Sequence, residues 1–353
     1  MRLPKTALLG LAAYATLGLA SSALANGRNP ASLLLYPEFD NRRYDLTLVT
    51  VTNTNTGQNP DGSNGTIKVE FVYIGRYGQQ GESLSCLETN RTETLTANDT
   101  LSVVTSFHNP NHAQGYLYVF AKDAVTGRAK AFNYLIGNLL TMEGLSQLEY
   151  SMNPVAFKGF GDANGETDHD HDGVRDLDGN EYEPVPDEIF IPRFIGSSGP
   201  NLSLTNGTSY DSELILINLS GGTRFDSIAS FWIYNDNEEV FSAEYQFRCW
   251  DRVKLYNING VFTQSFLKTT NHAQGEIVGA TDVESGWIRV YGGTAFSTAE
   301  SITDPATYAV LVERIGAYGA ADLPFESLAT QTNGDLLPTG IFGDPSGNSS
   351  DNQ

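Results

Sequence analysis

The sequence predicts an all-β fold of two tandem, diverged antiparallel β-sandwich domains, joined by an acidic segment rich in Asp and Gly. Three observations support this prediction. Apolar residues recur at every second position along most of the chain, which is the period of a half-buried strand. Turn-forming residues interrupt these runs at short intervals. The order of patterns in the first half of the chain recurs in the second half.

Residues 1–25 have the composition of a secretory signal peptide. Arg2 and Lys5 precede an apolar run at 7–20, and Ala23-Leu24-Ala25 is a small-x-small cleavage site. The alternative is an uncleaved membrane anchor, for which the run is short, since a spanning helix needs about 20 apolar residues. We expect the mature chain to be secreted, extracellular or at the cell surface, with the periplasm as a further option, and not inserted in a membrane.

Alternating strands dominate the rest of the chain. The clearest strand patterns lie at 44–52, 66–74, 115–120, 129–136, 213–217 and 228–234. In the first of these, Leu46, Leu48 and Thr50 are expected to share one face. Only 139–148 has a pattern plausible for a helix. Because parallel strands need crossover helices, this scarcity of helices favours antiparallel sheets.

The internal repeat is inferred from anchors that recur in the same order in both halves. The aligned pairs are Asn53 and Asn218, Cys86 and Cys249, Gly115 and Gly286, Ile136 and Ile315, Tyr150 and Tyr318, and Phe157 and Phe325. The string Asn-His-Ala-Gln-Gly also occurs twice, at 111–115 and 271–275, but its second copy lies further from its matching strand. The alternative is that Thr- and Val-rich strands resemble one another by chance.

These anchors predict the domain boundaries. The first domain covers 26–159 and the second covers 188–328, and each is long enough to bury its own core. The acidic segment covers 160–187. A polar, Gly- and Asn-rich C-terminal tail at 329–353 is expected to be flexible.

Two cysteines are present, one in each predicted domain, at Cys86 and Cys249. An even number of cysteines in an exported protein favours a disulfide, which here would join the two domains. The alternative is one buried thiol in each domain core. Both possibilities stay open at the level of the sequence.

The charge and motif content limit the function. Asp and Glu number 42 against 21 Lys and Arg, for a formal net charge of −21, and a nucleic-acid binder needs a basic surface instead. The 40% hydrophobic residues argue against an intrinsically disordered chain. The sequence has no Gly-x-Ser-x-Gly, His-Glu-x-x-His or phosphate-binding loop. Composition and signal peptide together are typical of a bacterial protein.

The acidic segment contains the most specific motif, Asp168-x-Asp170-x-Asp172-Gly173-x-x-Asp176. Alternate carboxylates converge on one hard cation, and the glycine permits a sharp turn. Residues 168–179 resemble the loop of EF-hand and dockerin modules and of thrombospondin type-3 repeats, which implies Ca²⁺ as the ligand. At the twelfth position Gly179 replaces the usual bidentate Glu or Asp. The expected ligands are therefore Asp168, Asp170, Asp172, the Val174 carbonyl, Asp176, Asp178, Glu181 and Glu183.

Two alternatives compete with a calcium loop. One is a solvated acidic linker, extended by its own charge repulsion. The other is a transition-metal site at His169 and His171, since imidazole suits zinc or copper. In the calcium register, however, both histidines occupy the outward positions.

Together these features predict a secreted, non-catalytic, calcium-stabilised structural or adhesive protein of the cell surface or extracellular matrix. A carbohydrate-binding protein would use exposed rings, for which the candidates are Tyr73, Tyr77, Tyr116, Tyr118, Trp232, Trp250 and Trp287. A pilus-like filament subunit would self-associate by donating the strand at 33–36. A secreted glycan-active enzyme would need paired carboxylates in a cleft between the domains.

Overall fold

The computed structural model describes residues 29–57, 64–77, 86–145, 147–198, 210–221, 225–235, 237–269, 284–315 and 318–336. Their regular structure is almost entirely antiparallel β, which confirms the all-β prediction. The helices are single turns, and they are α1 (Thr105–His108), α2 (Leu255–Ile258), α3 (Gln264–Leu267) and the 3₁₀ turn Gly260–Phe262. No helix in these ranges combines the length and apolar character needed to cross a membrane. The predicted signal peptide lies outside the described residues.

The first half of the chain forms two antiparallel sheets. Its strands are β1 (Leu33–Asp40), β2 (Asp45–Asn53), β3 (Ile67–Tyr77), β4 (Leu87–Leu95), β5 (Thr100–Val104), β6 (His112–Lys122), β7 (Leu135–Glu143), β8 (Leu148–Met152) and β9 (Val155–Phe157). The strand orders are β4-β3-β6-β1-β9 and β5-β2-β7-β8. The Tyr36 hydroxyl of β1 donates to the Thr50 carbonyl of β2 at 2.8 Å, so the two sheets face each other.

The acidic segment contributes β10 (Asp176–Leu177), and the second half again forms two sheets. Its strands are β11 (Ile189–Ile195), β12 (Tyr210–Asn218), β13 (Asp226–Asn235), β14 (Val240–Arg248), β15 (Trp250–Lys254), β16 (Ser285–Phe296), β17 (Ser301–Thr303), β18 (Thr307–Ile315), β19 (Tyr318–Asp322), β20 (Phe325–Glu326) and β21 (Gly334–Asp335). The orders are β14-β13-β16-β11-β20, with β17 beside β16, and β15-β12-β18-β19. Strand β21 pairs with β10.

The strand orders of the two halves agree position by position, with β17 as the only addition in the described residues. This agreement supports the internal repeat, while the division into two sandwich domains stays a prediction. The glycine anchor lies in equivalent register, because Gly115 faces Phe39 and Gly286 faces Phe194. A Cβ at Gly115 or Gly286 would lie 2.0 or 2.3 Å from a carbonyl oxygen of the neighbouring strand. Only glycine fits where the two strands approach so closely.

Other anchors of the repeat are not equivalent. Cys86 lies just before β4, whereas Cys249 follows β14. Ile136 lies near the start of β7 and Ile315 at the end of β18. The chain length from Asn53 to Cys86 is similar to that from Asn218 to Cys249 for an accidental reason. The first half has longer loops before and after β3, and the second half has strand β14 in the corresponding stretch of chain. The second Asn-His-Ala-Gln-Gly string lies outside the described residues.

One local prediction is also wrong. The segment 139–148 is not helical, because Leu135–Glu143 is strand β7. In β2 the alternation is as predicted, because Leu46, Leu48 and Thr50 share the partly exposed face while Val49 and Val51 are buried. Which of the two faces meets the opposing sheet is a tertiary property.

The two halves are joined covalently, because Cys86 and Cys249 form a disulfide with Cα atoms 6.2 Å apart. Of the two possibilities left open by the sequence, the structure has the bridge. Direct packing adds to it: a side chain on Gly319 in β19 would collide with Leu148 of β8 at 1.6 Å. The Trp250 indole N–H donates to the Pro37 carbonyl at 2.8 Å.

A buried ionic cluster also lies at this junction. Arg252 of the second half contacts Glu38 Oε1 at 2.6 Å, Glu143 Oε1 at 2.7 Å and Glu213 Oε2 at 2.6 Å. Arg314 pairs with Glu143 and lies 3.5 Å from Glu213 Oε1. We call these five residues the junction cluster. Its carboxylates are buried and charge-paired, so they hold the two halves together.

Candidate metal centre

The acidic segment is folded onto both halves of the chain. The backbone of Lys130 in the first half forms an isolated antiparallel β-bridge with Glu166 of the segment. Gly159 forms a second β-bridge with Tyr182. Tyr182 is fully buried, and its hydroxyl lies 2.8 Å from the Thr167 hydroxyl. Strand β10 pairs with β21 from the C-terminal end of the described chain. The segment therefore has a fixed shape rather than that of an extended linker.

The first part of the motif is shaped by side chains that accept hydrogen bonds from nearby backbone groups. Asp170 Oδ1 accepts from the Asp172 N–H at 3.2 Å, and Asp172 Oδ1 accepts from the Val174 N–H at 2.8 Å. Gly173 has φ of +83°, a left-handed conformation that glycine adopts without strain. This is the turn that the Asp-x-Asp-x-Asp-Gly pattern predicts.

The turn brings five of the predicted ligands into two overlapping groups. Asp168, Asp170 and Glu181 offer oxygens within 4.8 Å of one another, and so do Asp170, Asp172 and Asp176. Asp170 belongs to both groups. The arrangement forms an acidic cluster that could hold a metal ion, with carboxylate oxygens as the donors. Hard cations such as calcium and magnesium prefer oxygen ligands.

Glu181 closes the cluster from the far side of the segment. Its Oε1 accepts from the His169 N–H at 2.6 Å and its Oε2 from the Asp176 N–H at 3.3 Å. Burial raises the pKa of Glu181 to about 8. Burial, followed by repulsion from Asp172 and Asp178, raises the pKa of Asp176 to about 6. Negative charge is therefore crowded and poorly solvated here, and a cation would relieve it.

Arg175 supplies some positive charge beside the cluster. It is buried, and its Nη2 lies 3.4 Å from Asp168 Oδ2. Its guanidinium also lies 5.0 Å from the centre of the Phe120 ring. Asp168 Oδ1 is nevertheless buried without a hydrogen-bond partner. The single arginine leaves oxygens free for an ion.

Three of the predicted ligands have other contacts. Asp178 Oδ1 accepts from the Asn180 and Glu181 N–H groups at 2.8 and 3.2 Å, so it caps the following turn. Glu183 Oε2 accepts from the Lys158 N–H at 3.0 Å. Val174 is buried, and its N–H donates within the loop. Neither Asp178 nor Glu183 is in either group of ligands within the described residues, and the Val174 carbonyl stays a predicted ligand.

The predicted histidine alternative is not supported. His169 Nε2 lies 3.1 Å from the Phe160 carbonyl oxygen, which occupies that ring nitrogen. Neither His169 nor His171 is in an ion-binding group of the described residues. The cluster thus offers oxygen donors, as the calcium register predicts.

Asp335 is an acidic residue at this site that the sequence did not indicate. It pairs with Asp176 across the β10–β21 ribbon. Burial, followed by repulsion from Asp176, raises the pKa of Asp335 to about 7. It belongs to the segment 329–353 predicted to be a flexible tail, of which residues 334–336 are instead held in place, because β21 pairs with β10 and Leu336 is buried. Residues 337–353 lie outside the described ranges.

Comparison with known proteins adds little to this description. No family model and no curated protein matches the chain. One solved structure with some similarity is the top component of cowpea mosaic virus, a naturally occurring empty particle. It is 10% identical, the match covers 94% of this chain and 100% of that chain, and the TM-score is 0.19. A score this low supports no inference about fold or function.

Proposed function

We propose that the protein is an exported, non-catalytic protein with a structural or adhesive role, in which Ca²⁺ stabilises the acidic segment between the two halves. The observation that carries the proposal is the convergence of Asp168, Asp170, Asp172, Asp176 and Glu181 on two overlapping ligand groups. The segment contacts the first half through Glu166 and the C-terminal strand through Asp176. An ion bound there would stabilise both contacts at once.

Calcium fits this cluster better than other common cations. The donors are all oxygens, which disfavours zinc and copper. Magnesium demands near-ideal octahedral geometry with short bonds, whereas calcium accepts irregular coordination by six to eight oxygens. Because Gly179 offers no twelfth-position carboxylate, we expect an affinity in the range of extracellular modules, with Kd of roughly 10⁻⁴–10⁻³ M.

The first prediction is that calcium raises the melting temperature and slows proteolysis within 160–187. Calcium at about 100 times Kd should add about 2.7 kcal/mol to the free energy of unfolding. Combining Asp170→Asn with Asp172→Asn should abolish both effects. Scanning calorimetry and limited proteolysis in calcium, magnesium or chelator provide the measurements.

The matched control combines Glu244→Gln with Glu300→Gln, which removes two exposed carboxylates elsewhere and should leave the calcium response intact.

The stabilisation by calcium should also grow between pH 5 and pH 8. Raised carboxyl pKa values, about 6 for Asp176 and about 8 for Glu181, mean that the metal-free fold loses stability as pH rises through this window. Calcium offsets that loss. If millimolar calcium changes neither melting nor cleavage of the wild type, the segment is only an acidic connector.

A carbohydrate-binding role is a second candidate, supported by an aromatic patch on the outer face of the second half. Trp232 in β13 is 43% exposed. Tyr234, two residues along the same face, stacks on Trp287 of β16 with ring centres 4.1 Å apart and planes 6° apart. Exposed rings on a flat sheet can stack against sugar rings. The other candidates in described positions, Tyr73, Tyr116, Tyr118 and Trp250, are buried in the core.

The second prediction therefore concerns Trp232→Ala. If the patch binds glycans, a polysaccharide that retains the wild type on an affinity gel should retain this variant at least about tenfold less, corresponding to about 1.4 kcal/mol. The control is Tyr44→Ala, which removes an exposed ring from the first half and should bind normally. Equal retention of wild type and Trp232→Ala would argue against the patch.

The filament alternative loses its proposed donor strand. Residues 33–36 belong to β1, which is fully buried and pairs with β6 and β9 of the same chain. Donating it to a neighbour would remove a central strand from its own sheet.

A further inference from the structure

Strand β21 places the carboxylate-bearing residue Asp335 directly opposite Asp176 of the metal cluster. In the β10–β21 ribbon, Asp176 pairs with Asp335 and Leu177 pairs with Gly334. Residues directly opposite in an antiparallel pair project to the same face, with Cβ atoms about 4.5–5.5 Å apart. Like charges in such positions are destabilising. An ion between Asp176 and Asp335 would convert this repulsion into attraction.

The backbone around Asp335 is fixed by contacts on both sides. Its N–H donates to the Leu219 carbonyl at 2.6 Å. The next residue, Leu336, is buried, and its N–H donates to the Arg175 carbonyl at 3.3 Å. The Tyr118 hydroxyl donates to the Leu336 carbonyl at 3.3 Å. The chain therefore cannot readily move Asp335 away from Asp176.

One oxygen of the Asp335 carboxylate lacks a partner. Oδ2 accepts from the Gly221 N–H at 3.2 Å. Oδ1 is shielded from solvent and has no hydrogen-bond partner. A buried carboxylate oxygen without a donor is costly, since the charge loses its hydration and gains nothing. This observation is independent of the Asp-x-Asp-x-Asp motif.

We propose that the divalent cation held by Asp170, Asp172 and Asp176 also takes Asp335 as a ligand, drawing in a carboxylate that lies outside that group in the ion-free structure, and that ion binding thereby fastens residues 334–336 to the acidic segment. The inference rests on the proposed function. Three aspartates that each bind through one oxygen supply at most half of the six to eight oxygens that calcium takes. The carboxylate absent at Gly179 is thus provided by the opposite end of the described chain. The same ion would connect the acidic segment to the end of the second half.

The third prediction tests this with Asp335→Asn in the otherwise complete mature chain. Asparagine keeps the shape of the side chain and an oxygen for the Gly221 N–H, but it removes the charge. Calorimetric titration should show Kd for calcium raised at least about tenfold, the lower end of the loss seen when a supporting residue of a metal site is removed. In chelator, the variant should melt at or above the wild-type temperature, because the repulsion from Asp176 is gone. Glu244→Gln serves as the charge-matched control.

A measurement on the wild type alone makes the test independent of any folding defect in the variant. Calcium should slow amide hydrogen exchange at residues 334–336 as well as at 168–176. Protection at 168–176 without a change at 334–336, or unaltered affinity in Asp335→Asn, overturns the inference and leaves the proposed function standing. A wild type that binds no calcium overturns both. Weaker binding by Asp335→Asn together with unchanged or higher stability in chelator supports it.

Discussion

Removing the Cys86–Cys249 disulfide should lower the free energy of unfolding by about 5 kcal/mol. The two cysteines are 163 residues apart in sequence. In the chain-entropy account, the stabilisation by a disulfide grows with the logarithm of the loop that it closes. The bridge also ties the first half to the second, so its loss leaves only the noncovalent contacts, such as the junction cluster, to hold them together.

The measurement is urea unfolding of the wild type with and without reductant, alongside the double variant Cys86→Ser and Cys249→Ser. Reduced wild type and double variant should have similar, lower midpoints, while the oxidised wild type is the most stable. The slope of the unfolding curve should be steeper without the bridge, because the denatured chain is then less compact and exposes more surface. Two titratable thiols in the denatured, unreduced protein would show that the bridge does not form, and the prediction would then be wrong.

The fold class could be predicted because strand alternation is a local property. The side chains of β2 and β13 reveal their period of two without any knowledge of their neighbours. The motif at 168–176 is local as well, and its turn forms as the spacing predicts. Such features depend on residues a few positions apart, which a single sequence displays directly.

The missed features all depend on distant parts of the chain. Asp335 approaches Asp176 only because β21 pairs with β10, and no sequence signal at Gly334–Asp335 indicates that pairing. The cysteines form a bridge although their places in the strand order differ. They look equivalent in the sequence because they lie at similar distances from the preceding anchor residues, although the loops between those residues differ in length. Ion pairs such as Arg252 with Glu38 are likewise set by how the halves pack.

The junction cluster gives the other large expected effect. Replacing Arg252 by methionine should lower the free energy of unfolding by about 3–5 kcal/mol, the usual cost of removing one partner of a buried ion pair. Arg252 is the one residue in contact with Glu38, Glu143 and Glu213 together in the described structure. Methionine preserves much of the side-chain volume, so the loss reports charge rather than packing. The matched control is Arg248→Met, since Arg248 pairs with Asp226 and the two side chains are 43% and 41% exposed. Exposed pairs contribute at most about 1 kcal/mol.

The pH dependence of this variant separates lost charge from lost packing. Burial raises the pKa of Glu38, and the charge of Arg252 acts in the opposite direction. Without Arg252 the pKa of Glu38 should rise further. A carboxyl whose pKa is higher in the folded than in the unfolded state stabilises the fold at low pH, and that contribution is lost as pH rises through the folded-state value. Arg252→Met should therefore lower the free energy of unfolding less at pH 5 than at pH 8, as measured by urea unfolding at both.

Adding Glu38→Gln to Arg252→Met should recover part of the lost free energy of unfolding at pH 8, because no buried charge then remains at that position. A loss independent of pH and unrelieved by Glu38→Gln would show that Arg252 acts through packing alone.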